Sequence, residues 1–331
     1  MNKHLAIHCP LDSPIEAAPE DLVELTPLLE HLRANIPVTQ QTTFPRGTIM
    51  VDGRLDLCKQ SLGVVGCRAI SEALTENTTI TSLLLGTNGI GNAGAATVAQ
   101  LIDRNSRLEI LYLGCNVIEN TGATSLAQAL SNNRSVTGLW LKRNPIGDRG
   151  ARHIAEMLRH NRSIRTLDFV NTHIGSEGLV ALLDVLIHTN RAVERLYLGG
   201  NQIDAEGALL LADVLHQNPT LKALLLNVNH LGDTGAKILA DALQNNQTLL
   251  ELELASNGIS CAGGIALMEA IQKHPTLTHL DLGYSPSTRV LGAQCNYIGD
   301  VGAEAISYLL AQNQTLLSLN LQGNGITERG K

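Results

Sequence analysis

The chain has 331 residues, with 24 lysine and arginine residues against 31 aspartate and glutamate residues, so its formal net charge at pH 7 is −7. This charge disfavours a broad binding surface for nucleic acid or for anionic membranes. Hydrophobic residues make up 44% of the chain and charged residues 17%, which excludes a disordered protein because there is ample apolar surface to bury.

The first 53 residues are predicted to form an N-terminal helical cap. A helix is expected over residues 19–35, because Leu22, Leu25, Leu28, Leu29 and Leu32 then share one side. The N-terminus lacks the apolar core of a signal peptide, and no stretch approaches the roughly 18 apolar residues that a membrane-spanning helix needs. We therefore expect no contact with a membrane.

Six cysteines lie at positions 9, 58, 67, 115, 261 and 295. They form no CxxC pair and have no zinc-ligand spacing, so we expect reduced thiols. Reduced thiols and the lack of a signal peptide predict a cytoplasmic protein. If the chain is a secreted effector, the same argument predicts the cytoplasm of a host cell.

A repeat of about 28 residues begins at residue 54 and continues to residue 331. Its signature is Leu-x-Leu-x-x-Asn, and the clearest copies begin at Leu83, Leu111, Leu139, Leu196, Leu224, Leu252 and Leu319. Weaker copies begin at Leu55 and Leu167, where Gln60 and Thr172 replace the asparagine. With the copy at Leu280, which an insertion interrupts, the region holds about nine repeats and a truncated tenth.

Each repeat is expected to contribute one strand and one helix. The Leu-x-Leu segment predicts a short strand, and the asparagine at its end can hydrogen-bond the backbone of neighbouring turns. A glycine-rich turn such as residues 147–151 then opens a helix whose apolar side carries Ala151, Ile154, Ala155 and Leu158. One such unit cannot bury its own apolar face, so the units must stack.

This pattern resembles the leucine-rich repeat family, and its long, helix-bearing repeats resemble the ribonuclease-inhibitor-like class. The resemblance covers residues 54–331. It implies an α/β solenoid shaped like a horseshoe, with a parallel β-sheet on the concave face and α-helices on the convex face. It also implies that the concave face binds a protein.

One short sequence matches a nucleotide-binding motif, the GxGxxG at residues 89–94. Other repeats hold Glu119, Asp204 and Ser260 at the position of Gly91, so we interpret the motif as the turn of the repeat. The chain has no P-loop, nucleophile elbow or HExxH sequence, and no nucleophile paired with a base. We therefore predict a protein that is not an enzyme and that holds no cofactor or metal.

The positions that the repeat does not dictate are those that point outward from the strands, onto the predicted concave face. They give the predicted protein-binding residues Leu84, Tyr112, Trp140, Asp168, Arg195, Tyr197, Leu225, Glu251, Glu253 and Asp281. They include the chain's single tryptophan and two of its five tyrosines, and such residues are common interface anchors. Aromatic residues also favour strands, so sheet packing without a partner would give the same pattern.

The leading hypothesis is a non-enzymatic module that binds a protein partner on the concave face, with Tyr112, Trp140 and Tyr197 as anchors. The acidic residues of the set favour a partner with a basic patch. Two alternatives stay open. The GTPase activators of the Ran type resemble this repeat class, so the chain can be a regulator of a GTPase. Similar repeats also occur in bacterial effectors and in innate-immune sensors.

Two features fall outside the regular repeat. An insertion of eleven residues lies at about residues 285–295, and it is either a tolerated surface loop or a loop that folds over a partner. The last repeat is expected to lack a cap, so a second copy of the chain can pair with it through Leu316, Leu319, Leu321 and Ile326.

Two residue types have expectations of their own. Cys67 is expected in the core, whereas Cys115 and Cys295 are expected near the sheet edge, where a thiol can be exposed. Asn-x-Ser/Thr sequences begin at Asn77, Asn133, Asn161, Asn246 and Asn313. They fall at one position of the repeat, so the repeat explains them without glycosylation.

Overall fold

The structure is a computed structural model that describes residues 10–15 and 19–330. The chain divides into two compact units, Met1–Ile174 and Gly175–Lys331. Strands and helices alternate along each unit, so the predicted α/β repeat architecture is confirmed.

The first unit begins with a helix and a small antiparallel ribbon, which lead into a parallel sheet. Its elements are α1 (Pro19–Ala34), β1 (Thr42–Thr43), β2 (Thr48–Ile49), β3 (Arg54–Asp56), α2 (Gly63–Leu74), β4 (Ser82–Leu84), α3 (Gly91–Arg104), β5 (Ile110–Tyr112), α4 (Asn120–Asn132), β6 (Gly138–Trp140), α5 (Gly147–His160) and β7 (Thr166–Asp168). Strands β1, β2 and β3 pair antiparallel, and β3 to β7 pair parallel in chain order.

The second unit consists of regular repeats. Its elements are α6 (Ser176–His188), β8 (Arg195–Tyr197), α7 (Ala205–Gln217), β9 (Ala223–Leu225), α8 (Gly232–Leu243), β10 (Glu251–Glu253), α9 (Cys261–Ile271), β11 (His279–Asp281), α10 (Gly299–Leu310) and β12 (Ser318–Asn320). Strands β8 to β12 pair parallel in chain order.

The core lies between strands and helices, where the repeat predicts it. The central leucine of each parallel strand points inward, and Leu83, Leu111 and Leu139 are completely buried. Alanines on the helices allow close packing against this layer, since Ala151 is also completely buried. The N-terminal helix joins the same core through Leu28, which has no exposed surface. The predicted domain boundary after residue 53 stays a prediction.

The asparagine at the end of each strand forms a ladder along the stack. The Nδ2 of Asn116 donates to the carbonyl oxygens of Leu85 and Leu113, both at 2.9 Å. Its Oδ1 accepts a bond of 2.9 Å from the backbone N–H of Asn88, which belongs to the preceding repeat. The predicted bonding of this asparagine to neighbouring turns is confirmed. Thr172 takes the place once, and its hydroxyl donates to the carbonyl oxygen of Phe169.

A second asparagine ladder, which the sequence analysis did not identify, lies between each helix and the next strand. The Nδ2 of Asn105 donates to the carbonyl oxygen of Leu74 at 2.7 Å, and its Oδ1 accepts from the N–H groups of Arg107 and Leu108. The five Asn-x-Ser/Thr asparagines occupy this same position, and Asn161 has no exposed surface. Asparagine recurs here because its side chain bonds backbone groups of the buried loop that would otherwise have no partner.

The second ladder has one histidine, His274, which is only 3% exposed. Its Nδ1 accepts from the N–H groups of Thr276 and Leu277 at 3.3 and 3.0 Å. Its Nε2 is buried and has no partner among the described residues. In the preceding repeat, the corresponding Nδ2 of Asn246 donates to the carbonyl oxygen of Leu215. His274 therefore accepts as an asparagine does, but its donor is unsatisfied.

Replacing His274 with asparagine is expected to raise the free energy of unfolding by about 1 kcal/mol, because the new Nδ2 can donate to the preceding repeat. Burial also lowers the pKa of His274 in the folded state below its ordinary 6.5. His274 of the unfolded chain therefore binds a proton as the pH falls through 6.5, whereas His274 of the folded chain does not. This difference lowers the free energy of unfolding of the wild type but not of the variant.

Urea denaturation at pH 7.5 and pH 5.5 measures both effects of the His274→Asn change. The matched control is His153→Asn, the same substitution at an exposed position. If the two variants change stability equally at both pH values, the unsatisfied Nε2 of His274 carries no cost.

Candidate functional site

In each unit, the outward positions of the strands form a surface that we call the outer strand face, on the side of the strands opposite the helices. In the first unit it includes Leu84, Tyr112, Trp140 and Asp168. They stand side by side, because Leu84 pairs with Tyr112, Tyr112 with Trp140, and Trp140 with Asp168 in the parallel register. The first three are partly exposed.

The two aromatic rings of this face lie against the sheet. A methyl group on Gly138 would collide with the indole of Trp140, and one on Gly86 would collide with the ring of Tyr112. Each ring therefore occupies space that a glycine leaves free. The Nζ of Lys142 lies 5.3 Å from the centre of the Tyr112 ring, within range of a cation–π interaction. The rings thus form a partly exposed aromatic surface that is bordered by a cation.

Asp168 lies beside Trp140, but its side chain is only 3% exposed. Its Oδ1 accepts a bond of 2.9 Å from the N–H of Val170. Burial raises the pKa of the Asp168 carboxyl to about 6, although the Val170 bond and the charges of Lys142 and Arg143 oppose the rise. A carboxylate with this pKa changes its charge close to neutral pH.

The outer strand face of the second unit is more polar. The Nη2 of Arg195 lies 2.6 Å from the Oε2 of Glu251, and its guanidinium lies 5.8 Å from the centre of the Tyr197 ring. Arg195 is therefore already paired within its own unit. Hydrogen bonds to Glu251 and Tyr197 raise the pKa of Arg195, against the opposing effect of burial.

Three carboxylates of the second unit are also brought together. Burial is the largest cause of the raised pKa of Glu253, and the neighbouring charges of Glu251 and Asp281 raise this pKa further. The Nδ2 of Asn227 donates to the Oε2 of Glu253. Asn227, which strand periodicity does not single out, also accepts at its Oδ1 from the N–H of Ala255. Asp281 accepts from the N–H of Gly283 at 2.7 Å.

Exposure differs from the sequence-based expectation at two outward positions. Asp168 and Leu225 are 3% and 7% exposed, although both were expected on an open surface. Strand periodicity fixes the direction of a side chain, whereas its exposure depends on the size of its neighbours. Leu225 stands between Tyr197 and Glu253 in the register of the sheet.

The insertion at about residues 285–295 begins by folding back onto the preceding repeat. The hydroxyl of Ser256 accepts from the N–H of Ser285 at 2.9 Å and from the hydroxyl of Thr288 at 2.6 Å. Farther along, the carbonyl oxygen of Gly292 lies 3.3 Å from the Nε2 of His230. Its role with a partner stays a prediction.

The cysteines have the expected environments with one exception. Cys67 is completely buried, and burial raises the pKa of its thiol to about 12, so the prediction of a core thiol is confirmed. Cys295 is exposed. Cys115 lies at a position where a thiol can be exposed, but it is buried, with only 5% of its surface exposed. Cys9 lies outside the described residues.

Within residues 10–15 and 19–330, no group of three or more histidine, cysteine, aspartate or glutamate side chains is placed to hold a metal ion. Over that part of the chain, no helix is both long and apolar enough to cross a membrane.

Several solved structures are similar to this chain. They include the leiomodin-1 actin-binding site 2, with 22% identity over 48% of this chain and 86% of that one, at a TM-score of 0.40. The tropomodulin C-terminal domain of Caenorhabditis elegans has 13% identity over 58% of this chain and 92% of that one, at a TM-score of 0.33. A chain of the complex of Rad7 and Elc1 in yeast has 14% identity over 93% of this chain and 85% of that one, at a TM-score of 0.47. No curated protein matches the sequence.

A family model described as leucine-rich repeat matches seven segments of the chain, residues 76–99, 104–127, 160–183, 189–212, 217–240, 245–268 and 312–330. These segments carry the repeating strands and helices of both units. The chain therefore belongs to the leucine-rich repeat family, whose repeats imply a protein-interaction module and whose members are generally non-enzymatic scaffolds.

Proposed function

We propose that the chain binds a protein partner on the outer strand face of its first unit, with Tyr112 and Trp140 as the anchors. The observation that carries this proposal is the pair of partly exposed rings packed against glycines, next to the buried carboxyl of Asp168. Flat aromatic surfaces lose little conformational entropy when they are covered, because the rings are already held in place. Large aromatic side chains supply much of the binding energy in protein interfaces.

The charges of this face favour a cationic side chain of the partner. A lysine or arginine placed over the Trp140 ring gains a cation–π interaction and comes close to Asp168. The cation also stabilises the ionised form of Asp168, which burial disfavours. Lys142 and Arg143 already act on this carboxyl, so the incoming group competes with existing charges.

The second unit offers a separate acidic surface for the same kind of partner. Glu251, Glu253 and Asp281 lie close enough for the charges of the other two to raise the pKa of Glu253. Arg195 neutralises part of this charge through Glu251. A basic group of the partner relieves the remaining repulsion, so we expect this surface to add electrostatic attraction rather than an anchor.

Replacing Trp140 with alanine is expected to reduce the amount of partner retained in a pull-down by at least about 30-fold, the effect of losing an anchor worth about 2 kcal/mol. Quantitative mass spectrometry of material captured from cell lysate measures the loss. The matched control is Tyr308→Ala, which removes an aromatic side chain that is 72% exposed on α10.

The outcome distinguishes binding from sheet packing. Circular dichroism first establishes that the Trp140→Ala and Tyr308→Ala variants are folded. Loss of the partner only with the Trp140 change supports the proposal. Equal retention by both variants assigns the rings to sheet packing and contradicts it.

A further inference from the structure

Residues 10–15 lie across the turn between β4 and α3, the turn that carries the GxGxxG sequence. The N–H of Ile15 donates to the carbonyl oxygen of Gly89 at 2.8 Å. Pro14 lies over Gly91 in the same way as Ile15 lies over Gly89. We call residues 11–15 the N-terminal strap and the turn beneath it the glycine seat, residues 89–91.

The glycine seat has the shape that the strap requires. A Cβ on Gly89 would lie 2.5 Å from the Cγ1 and 2.8 Å from the backbone nitrogen of Ile15. A Cβ on Gly91 would lie 2.7 Å from the Cγ of Pro14. Any other residue at position 89 therefore displaces the backbone of the strap.

The backbone conformation alone does not explain Gly89. Its φ is 63°, but Ser61, Val117 and His173 occupy the same position in other repeats with φ values of 52°, 57° and 59°. The fold thus accepts a side chain at this position despite the left-handed conformation. The space that the strap fills is what distinguishes Gly89 from them.

The seat is also peculiar to one repeat. The corresponding pairs of residues in the other repeats are Ser61 and Gly63, Val117 and Glu119, Pro145 and Gly147, His173 and Gly175, Gln202 and Asp204, His230 and Gly232, Gly258 and Ser260, Tyr297 and Gly299, and Gly325 and Thr327. Glycine occupies both positions only at 89 and 91. The repeat that carries the strap is therefore the one whose turn has room for it.

The strap is lightly held and leaves a cavity beside it. Asp12, Ser13 and Pro14 are exposed, and Leu11 is half-buried. A cavity of about 190 Å³ lies between Leu11 and Asp12 on one side and the turns that carry Arg143 and His173 on the other. The basic side chains of these turns complement a carboxylate at the position of Asp12.

We infer that the glycine seat and this cavity form a binding site for an extended peptide segment that carries a carboxylate followed, three residues later, by an aliphatic residue. In this chain the N-terminal strap fills the site in cis. A partner segment of the same chemistry binds by displacing the strap. This site differs from the outer strand face, which favours a cation.

Tethering explains why a lightly held strap occupies the site. Because the strap and the seat belong to the same chain, the effective concentration of the strap at the seat is in about the millimolar range, so even a weakly bound segment stays in place. A partner segment must compete with the tethered strap for the site. It displaces the strap when its own contacts with the site are stronger or when the contacts of the strap are weakened.

The first experiment tests the strap in the full-length chain. We expect the Gly89→Ala change to speed hydrogen exchange at the Ile15 amide by at least about tenfold, because the bond to residue 89 is lost. The matched control is Gly258→Ala, at the same position of another repeat with φ 70°, where an added Cβ meets the Gln294 side chain at 3.4 Å. Equal exchange in both variants overturns the assignment of the seat.

The second experiment tests binding in trans with a fluorescein-labelled peptide of residues 10–18, measured by fluorescence polarisation. In the full-length Ile15→Asp variant the strap loses its apolar contact and the seat is left intact. We expect this variant to bind the peptide at least about tenfold more tightly than the wild type, and the Ile15→Asp, Gly89→Ala double variant to lose the gain. Equal binding by all three, or no binding by Ile15→Asp, overturns the proposal.

Discussion

Replacing Asn116 with alanine is expected to lower the free energy of unfolding by about 3–5 kcal/mol, since several buried polar groups lose their partners at once. Asn116 has no exposed surface, and its Nδ2 donates hydrogen bonds to the carbonyl oxygens of Leu85 and Leu113. Its Oδ1 accepts a hydrogen bond from the N–H of Asn88 in the preceding repeat. No water can replace these bonds without opening the space between strand and helix.

Urea denaturation of the purified Asn116→Ala variant measures this loss. The matched control is Asn132→Ala, the same change at an exposed position at the end of α4, for which we expect an effect within about 0.5 kcal/mol. Comparable losses in both variants would show that the first asparagine ladder contributes little to stability.

Replacing Asp168 with asparagine is expected to remove a pH-dependent penalty of about 2–3 kcal/mol between pH 4 and pH 7.5. The pKa of Asp168 is raised from 3.8 to about 6 by burial in the folded state. The folded chain therefore holds its proton where the unfolded chain has lost it. The penalty is absent below pH 3.8 and develops as the pH rises through 6, so wild-type stability falls over this range relative to the variant.

The Asp168 prediction is measured by urea denaturation of wild type and variant at pH 4, 5.5 and 7.5. Asparagine keeps an oxygen that can accept from the N–H of Val170, so the local turn is preserved. The matched control is Asp103→Asn on the exposed side of α3. A difference between wild type and Asp168→Asn that does not change with pH would mean that Asp168 is ionised without penalty.

Those parts of the fold that depend on periodicity were predictable from the sequence. The Leu-x-Leu-x-x-Asn pattern gave the strands and inward leucines such as Leu111, together with the role of Asn116, because these features recur at a fixed spacing. The second ladder was also visible in principle, since asparagine recurs at 28-residue intervals between helix and strand. The recurrence of Asn-x-Ser/Thr at one position of the repeat was recognised, but periodicity does not show which backbone groups the asparagine bonds.

The candidate site was less predictable, because it depends on contacts between side chains of different repeats. Periodicity directed Asp168 outward but could not show that the carboxyl is covered. It placed Arg195 on the outer strand face but not its pairing with Glu251. Asn227 lies outside the outward positions that were considered, and only the structure shows its bond to Glu253.

The second asparagine ladder also restricts where this chain can be made. A chain threaded unfolded into a compartment with N-glycosylation would offer the amides of Asn77, Asn133, Asn161, Asn246 and Asn313 to the glycosylating enzyme before they are buried. A glycan on Asn161 would occupy a site with no exposed surface and would replace one of the two Nδ2 hydrogens that bond the carbonyl oxygens of Leu130 and Asn133. The residues that close the repeats would then prevent the chain from folding, so secretory expression is the wrong route for producing it.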